Sequence, residues 1–160
     1  MTNVLRFLKL FALGTWIGGI IFLSFVEAPG VFGILSNLDR AGSVVGYSLT
    51  RLHYIGIAAA VVYLAAGFGL EAGQRWVTAP AAILVLVMLG LTLVSQYGVR
   101  PKMDRLQAQM VSIQATAMTN PLRVQFEHLH RASVWLEGGT LVIGIAALFL
   151  TTRQKTEVSV

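Results

Sequence analysis

The amino-acid sequence predicts an all-α fold: a four-helix transmembrane bundle with an amphipathic surface helix before the last span. The first observation is composition, since 56% of the 160 residues are hydrophobic, 12% are charged and the mean hydropathy is +0.73. A soluble fold of this size cannot bury so much apolar surface, so we expect an integral membrane protein. Second, four apolar segments approach the roughly 20 residues that a bilayer-spanning helix needs. Third, the polar segment before the last of them has apolar residues at helical spacing.

We expect a single membrane domain over residues 1–160. Its spans lie near residues 5–27, 45–70, 76–99 and 128–151. Arg6 and Lys9 can snorkel to the membrane surface at the start of span one. Pro80 suits the first turn of span three, where its missing N–H would have no helical partner in any case.

Span four contains a carboxylate, Glu137. The uncharged stretch from Gly138 to Leu150, which ends with the last apolar residue of the span, contains only 13 residues. That length of helix reaches about 20 Å, which is too short to cross the ~30 Å hydrocarbon core. The helix must therefore begin earlier, and Glu137 is expected within the membrane region.

The starts of the second and fourth helices carry capping residues. Asn120 followed by Pro121 predicts a helix start well before span four, and Asp39 is expected to cap the helix that leads into span two. Between spans three and four, a surface helix is predicted over 102–119. Its apolar stripe consists of Met103, Leu106, Met110, Ile113 and Ala117.

A weak internal repeat divides the chain into two helical hairpins. The sequence FVEAP closes span one and GVRP closes span three, while RLHY leads into span two and HLHR into span four. Both hairpins would have the same orientation in the membrane, related by an axis along the membrane normal.

Most of the unusual polar residues fall at one end of this topology. They are Glu27, Arg51, His53, Ser95, Gln96, Arg100, His128, His130, Ser133 and Glu137. Helical periodicity puts His130, Ser133 and Glu137 on one stripe of span four, whereas His128 points elsewhere. In span two, His53 shares a face with the small residues Gly56, Ala60 and Gly67, as is typical of helix packing in membranes.

Three site chemistries fit these residues. The first is a metal site with His53, His130 and Glu27 as ligands. The second is a haem held between His53 and His130, with Arg51 and Arg100 near its propionates. The third is a proton or ion path, or a buried polar cluster, that includes Glu137, Ser133 and Gln96. The structural alternatives are an arginine-paired or protonated carboxyl at Glu137 and interfacial histidines bonded to carbonyl groups.

The function predicted from these residues is a small polytopic membrane protein that binds a haem or a metal ion near one membrane face. An accessory or assembly subunit of a larger membrane complex is an alternative, and so is a small transporter with Glu137 on the ion path. The expected partners are the lipid bilayer and either a membrane-complex subunit or a second copy of the chain. Gly14 and Gly18 form a small-xxx-small pair that suits such a helix contact.

Several function classes find no support in the sequence. The chain has no cysteine, which excludes disulfides, thiolate metal sites and cysteine nucleophiles. We find no set of nucleophile, base and orienting residue, no phosphate loop and no zinc-protease spacing, so no catalytic residue is predicted. The net charge of +5 is expected to face anionic headgroups, and no basic and aromatic pattern indicates nucleic acid.

Three segments resemble the transmembrane protein 205-like family of small four-helix membrane proteins. The segments are LGTWIGGIIFLSFVEAP, AGSVVGYSLTRLHYIG and FEHLHRASVWLEGG, and they are distributed between residues 13 and 139. The matching positions are Trp16, Gly18, Gly19, Pro29, Ala41, Gly42, Phe126, His130 and Ser133. Glu137 departs from the pattern, because the family often has Asn in that region.

The resemblance implies a fold and a location more than an activity. Its bacterial members are described mainly as a domain of unknown function, so a bacterial inner (cytoplasmic) membrane location is expected. A looser similarity extends to CopD-type copper-resistance membrane proteins, which also have a Trp-x-Gly-Gly span. Eukaryotic members of the family are linked to tolerance of drugs and metal compounds, which implies a metal or transport role.

Overall fold

The computed structural model describes residues 2–70 and 79–153, and it consists of four long helices. They are α1 (Thr2–Ile34), α2 (Leu38–Leu70), α3 (Pro80–Gln109) and α4 (Pro121–Arg153), and each is long and apolar enough to cross a membrane. No strand occurs in the described residues. The all-α, four-helix transmembrane fold is therefore confirmed. The expected start of span three at residue 76 lies outside the described residues.

The helices surround a common core in the order α1, α2, α3, α4. The closest pairs are α1 with α2 and α3 with α4, which are the two predicted hairpins, while α1–α4 and α2–α3 contacts close the ring. Glycines allow the close approaches. A Cβ on Gly56 of α2 would overlap the indole of Trp16, and one on Gly144 of α4 would lie 2.9 Å from side-chain atoms of both Ile17 and Met88.

Both α1 and α3 contain a π-helical turn at the same end of the bundle. The turns cover Leu23–Glu27 and Val94–Val99, and each is closed by a backbone N–H that bonds five residues back. A proline follows directly after each closing residue, at Pro29 and Pro101. Proline donates no N–H, and its ring collides with the carbonyl four residues back, so a wider turn accommodates it without ending the helix. The repeat in the sequence thus corresponds to a repeat of backbone geometry.

Two predicted features of the connecting segments need correction. Asn37, not Asp39, caps α2, because the Arg40 N–H donates to Asn37 Oδ1 at 3.0 Å. Asp39 lies two residues too late for that role, and its carboxylate instead accepts hydrogen bonds from the Ser112 hydroxyl and from the Ile113 N–H at 2.8 Å.

The surface helix is shorter than the range 102–119. Helical structure continues from span three through Arg100–Gln109 and ends where Met110 becomes extended. The hydrogen bonds between Ser112, Ile113 and Asp39 hold the next residues in turns against the start of α2, which prevents the helix from continuing. The predicted start of α4 is confirmed, since Asn120 Oδ1 accepts from the Leu122 N–H at 2.9 Å and Pro121 is the first helical residue.

Lys9 does not snorkel outward from α1. It is only 7% exposed, and its ammonium group lies 4.9 Å from the centre of the Tyr63 ring, over the ring face. The Tyr63 hydroxyl pairs with Thr151 Oγ1 at 2.7 Å. The end of the bundle near the chain termini therefore has a buried polar cluster of its own.

Candidate functional site

The most unusual polar group in the core is His53, which is 2% exposed. Its Nδ1 lies 2.6 Å from Gln96 Oε1 of α3, and its Nε2 lies 2.6 Å from Glu137 Oε1 of α4. Both ring nitrogens are thus bonded, each to a different helix. The Glu137 side chain is 12% exposed, so the pair is shielded from its surroundings on most sides.

Local structure explains how the three side chains converge. His53 lies on the small-residue face of α2, and Gly56, one turn later, lets α1 pack closely through Trp16. Gln96 lies in the π turn of α3, and Ser95 beside it is also buried. Gly144 lets α4 approach α1 and α3. Glu137 can then reach across the bundle, because α2 and α4 are diagonal to each other.

The site lies near the middle of these helices along their length. Glu137 is 16 residues after Pro121 and 16 before Arg153, the ends of α4. His53 is 15 residues after Leu38 and 17 before Leu70, the ends of α2. A 33-residue helix is about 50 Å long, so roughly 25 Å of helix extends on either side.

The hydrogen-bond inventory restricts how protons are distributed. With Gln96 Oε1 as acceptor, His53 Nδ1 carries a proton. Nε2 then faces a carboxyl oxygen, and a hydrogen bond needs one more proton between them. That proton sits either on Nε2, which gives an imidazolium beside a carboxylate, or on Glu137, which gives two neutral groups. His53 and Glu137 therefore share one proton in this hydrogen bond.

The other predicted site residues on α4 form a graded stripe. His130 is exposed and stacks on Phe126 with ring centroids 6.5 Å apart, whereas Ser133 is 8% exposed. The stripe thus leads from the surface of the bundle through Ser133 to Glu137. His128 is exposed and its Nδ1 lies 3.4 Å from Arg131 Nη2, so it is separate from the stripe.

The predicted metal ligands are not brought together. Within residues 2–70 and 79–153, no group of three or more His, Asp or Glu side chains could hold a metal ion. His53 is buried in the core, His130 is exposed and Glu27 is half-buried at the end of the π turn of α1. A three-ligand site from His53, His130 and Glu27 would require rearrangement of the helices.

The two arginines expected near haem propionates make other contacts. Arg51 is exposed and stacks over the Tyr47 ring at 5.0 Å. Arg100 Nη1 donates to the Gly46 carbonyl at 2.7 Å, and a Cβ at Gly46 would lie 2.5 Å from that nitrogen. Arg100 therefore ties α3 to α2 one π turn away from Gln96.

The sequence did not indicate that His53 and Glu137 meet. Helical periodicity assigned both to inward faces, but it gives no distance between two helices that are 84 residues apart in the chain. The available signal was Gln96, an amide in span three close to the proline that follows the span. A buried amide needs a polar partner, so Gln96 indicated a polar contact inside the bundle.

Comparison with known families adds an assignment for most of the chain. Residues 11–112, which are 102 of the 160 residues, match a domain of unknown function, DUF4149. The chain belongs to the DUF4149 family. No curated protein matches it, and no solved structure matches it.

The DUF4149 match extends from α1 to the turn after α3 and so includes His53 and Gln96. Glu137 lies beyond it on α4. The buried site of this DUF4149 chain is therefore completed by a helix outside the matched region. The resemblances to the transmembrane protein 205-like family and to CopD-type proteins stay predictions.

Proposed function

We propose that the protein is a small membrane transporter that moves protons, alone or together with a solute, through the His53–Glu137 pair. The observation that carries the proposal is the buried histidine bonded on both ring nitrogens, to Gln96 and to Glu137. Ionisable side chains within a membrane bundle are costly, and where they occur they commonly mark proton or ion pathways.

Loss of the shared proton would link the protonation of the pair to a movement of the helices. Without it, and with the remaining ring proton on Nδ1 donated to Gln96 Oε1, the Nε2 lone pair would face a carboxylate oxygen at 2.6 Å, and two acceptors at that distance repel each other. Release of the proton would then favour separation of Glu137 from His53, and thus of α4 from α2. Proton binding and helix position are coupled in this way, as transport against a gradient requires.

The stripe on α4 supports an approach route for the proton. His130 at the surface, the buried hydroxyl of Ser133 and Glu137 lie on the same face of the helix. Each can donate and accept protons, directly or through a water molecule. Gln96 positions the imidazole from the opposite side and does not itself titrate.

Haem and metal binding are less well supported by the geometry. Both nitrogens of His53 are bonded to side chains, so His53 could ligate iron or another metal only after one of these bonds broke. An absorption spectrum and elemental analysis of the purified protein decide this point. A Soret band that disappears in His53→Ala would support haem and contradict the proton-transfer proposal.

Three finer expectations stay predictions. They are a role as an accessory subunit of a larger complex, association of two copies through Gly14 and Gly18, and a location in a bacterial inner membrane. The structure leaves the two glycines open, since nothing lies within 4 Å of a Cβ at either position.

Proton flux into vesicles tests the proposal. The full chain is reconstituted into liposomes containing a trapped pH dye, and flux is driven by a potassium diffusion potential. We expect a flux above that of protein-free liposomes, and we expect Glu137→Gln and His53→Gln to remove it. Glutamine keeps hydrogen-bonding capacity at position 137 but cannot exchange the proton.

Glu127→Gln is the matched control, because it makes the same change ten residues earlier on the same helix, outside the site. This variant should retain the flux. A second readout, nuclear magnetic resonance of isotope-labelled histidine, should show that Glu137→Gln alters the protonation of His53. Flux that persists in Glu137→Gln, or a His53 spectrum that this variant leaves unchanged, would contradict the proposal.

A further inference from the structure

A second candidate site is a cleft between the C-terminal part of α3 and the first turns of α4. Its volume is about 500 Å³. It is lined by Lys102, Arg105, Leu106, Gln109, Gln125, His128 and Leu129. None of these residues belongs to the His53 site, and the charged rim with two leucines is unlike the core of the bundle.

We propose that this cleft binds the headgroup of an anionic phospholipid. Lys102 and Arg105 are one turn apart on α3, and both are exposed. His128 faces them from α4, with Arg131 Nη2 3.4 Å from its Nδ1. Lys102, Arg105 and His128 would surround a phosphate with N–H donors from two helices. Gln109 and Gln125 add neutral donors for the phosphate or glycerol oxygens.

The neighbouring acidic side chains do not cancel this charge. Asp104 lies between the two cations in sequence, but its carboxylate pairs with Arg100 Nε at 3.2 Å. Glu127 precedes His128 and does not line the cleft. The cleft therefore keeps a net positive rim.

The position of the cleft identifies a lipid as the occupant. The 30 residues of α3 measure about 45 Å, which exceeds the ~30 Å hydrocarbon core, so the end of α3 extends to the headgroup level. Leu106 and Leu129 supply an apolar side against which the upper part of an acyl chain can lie. Basic pockets between transmembrane helices are a known setting for anionic headgroups.

Native mass spectrometry of the full chain in mild detergent tests the site. The protein is mixed with equal amounts of phosphatidylglycerol and phosphatidylcholine of the same acyl chains, and the singly bound forms are compared. We expect the phosphatidylglycerol form to dominate. Arg105→Gln should lower its preference about fivefold, as expected for one surface cation, and the double variant with Lys102→Gln should lower it further.

Arg40→Gln is the matched control, because Arg40 is another exposed arginine near the same end of the bundle and does not line the cleft. It should leave the preference unchanged. Helix content from circular dichroism confirms that each variant is folded. Equal losses in Arg40→Gln and Arg105→Gln would indicate general charge attraction and would overturn the proposal.

Inorganic phosphate separates a lipid site from a site for a free anion. Phosphate at the lipid concentration should not displace phosphatidylglycerol, since it lacks the acyl chain that would contact Leu106 and Leu129. Displacement at that concentration would assign the cleft to a free anion and would overturn the lipid proposal. No preference for phosphatidylglycerol over phosphatidylcholine would overturn it as well.

Discussion

Trp16 and Gly56 show how a single missing side chain determines the packing around the site. Trp16 is 2% exposed, and its indole occupies the space where any larger residue at position 56 would place its Cβ. His53 is one turn before Gly56 on the same face of α2. The contact between α1 and α2 thus supports the segment that holds the imidazole.

Gly56→Ala should destabilise the protein. The added methyl group meets a large, fully packed indole, and overpacking of this kind costs about 1–3 kcal/mol. We expect a lower midpoint of thermal unfolding, measured by circular dichroism of the protein in detergent.

Gly90→Ala is the control, because nothing lies within 4 Å of a Cβ there and alanine is favoured over glycine inside a helix by roughly 0.5–1 kcal/mol. It should leave the midpoint unchanged or raise it. If both variants behaved alike, the Trp16–Gly56 contact would not limit the packing.

Individual residues also show what could be predicted from the sequence. The periodicity of α2 and α4 places both His53 and Glu137 on inward faces, and Asn120 was identified as a cap because an N-terminal N–H needs an acceptor. The pairing of His53 with Glu137 depends on the rotation and height of two helices. Close approaches between residues that are distant in the chain, such as those of Ile17 and Met88 to the backbone of Gly144, fix those quantities.

Among the elements, the two π turns are the clearest sign that the two hairpins repeat the same backbone geometry. Both precede a proline by one residue, and they contain Glu27 in α1 and Gln96 in α3. The proline pattern was visible in the sequence. The widened turn could not be predicted from the sequence, because the same proline pattern is also compatible with a kink or a helix end.

Pro101→Ala should change the environment of His53. Alanine restores an N–H that can bond four residues back, so the turn can close as a regular α-helix. One residue fewer in that turn would rotate Gln96 away from His53 Nδ1. We expect a shift of the His53 signals in spectra of isotope-labelled histidine.

Pro80→Ala is the control for this change, since Pro80 lies in the first turn of α3, where its N–H would have no partner. It should leave the His53 signals in place. Identical spectra for the wild type and Pro101→Ala would show that the proline does not maintain the π turn.

At the scale of the whole molecule, the candidate site joins the two hairpins. His53 belongs to the first hairpin, whereas Gln96 and Glu137 belong to the second. Composition and hydrophobic length were sufficient to predict four spans, because every backbone polar group in a bilayer must be bonded within its own segment. They could not predict how the hairpins dock, since lipid tails are as apolar as the packing surfaces and small residues and polar contacts decide the fit.

Two co-expressed fragments, one with α1 and α2 and the other with α3 and α4, should therefore associate in the membrane and co-purify. Glu137→Ala in the second fragment should reduce the recovered complex roughly tenfold or more, because removal of one member of a buried pair costs about 3–5 kcal/mol. Glu127→Ala makes the same change on the same helix outside the site and should leave recovery unchanged.

Recovery is measured by affinity capture of a tag on the first fragment only. Failure of the wild-type fragments to associate would show that the hairpins are not separate units. Equal recovery for both alanine variants would show that the His53–Glu137 pair does not hold the two hairpins together.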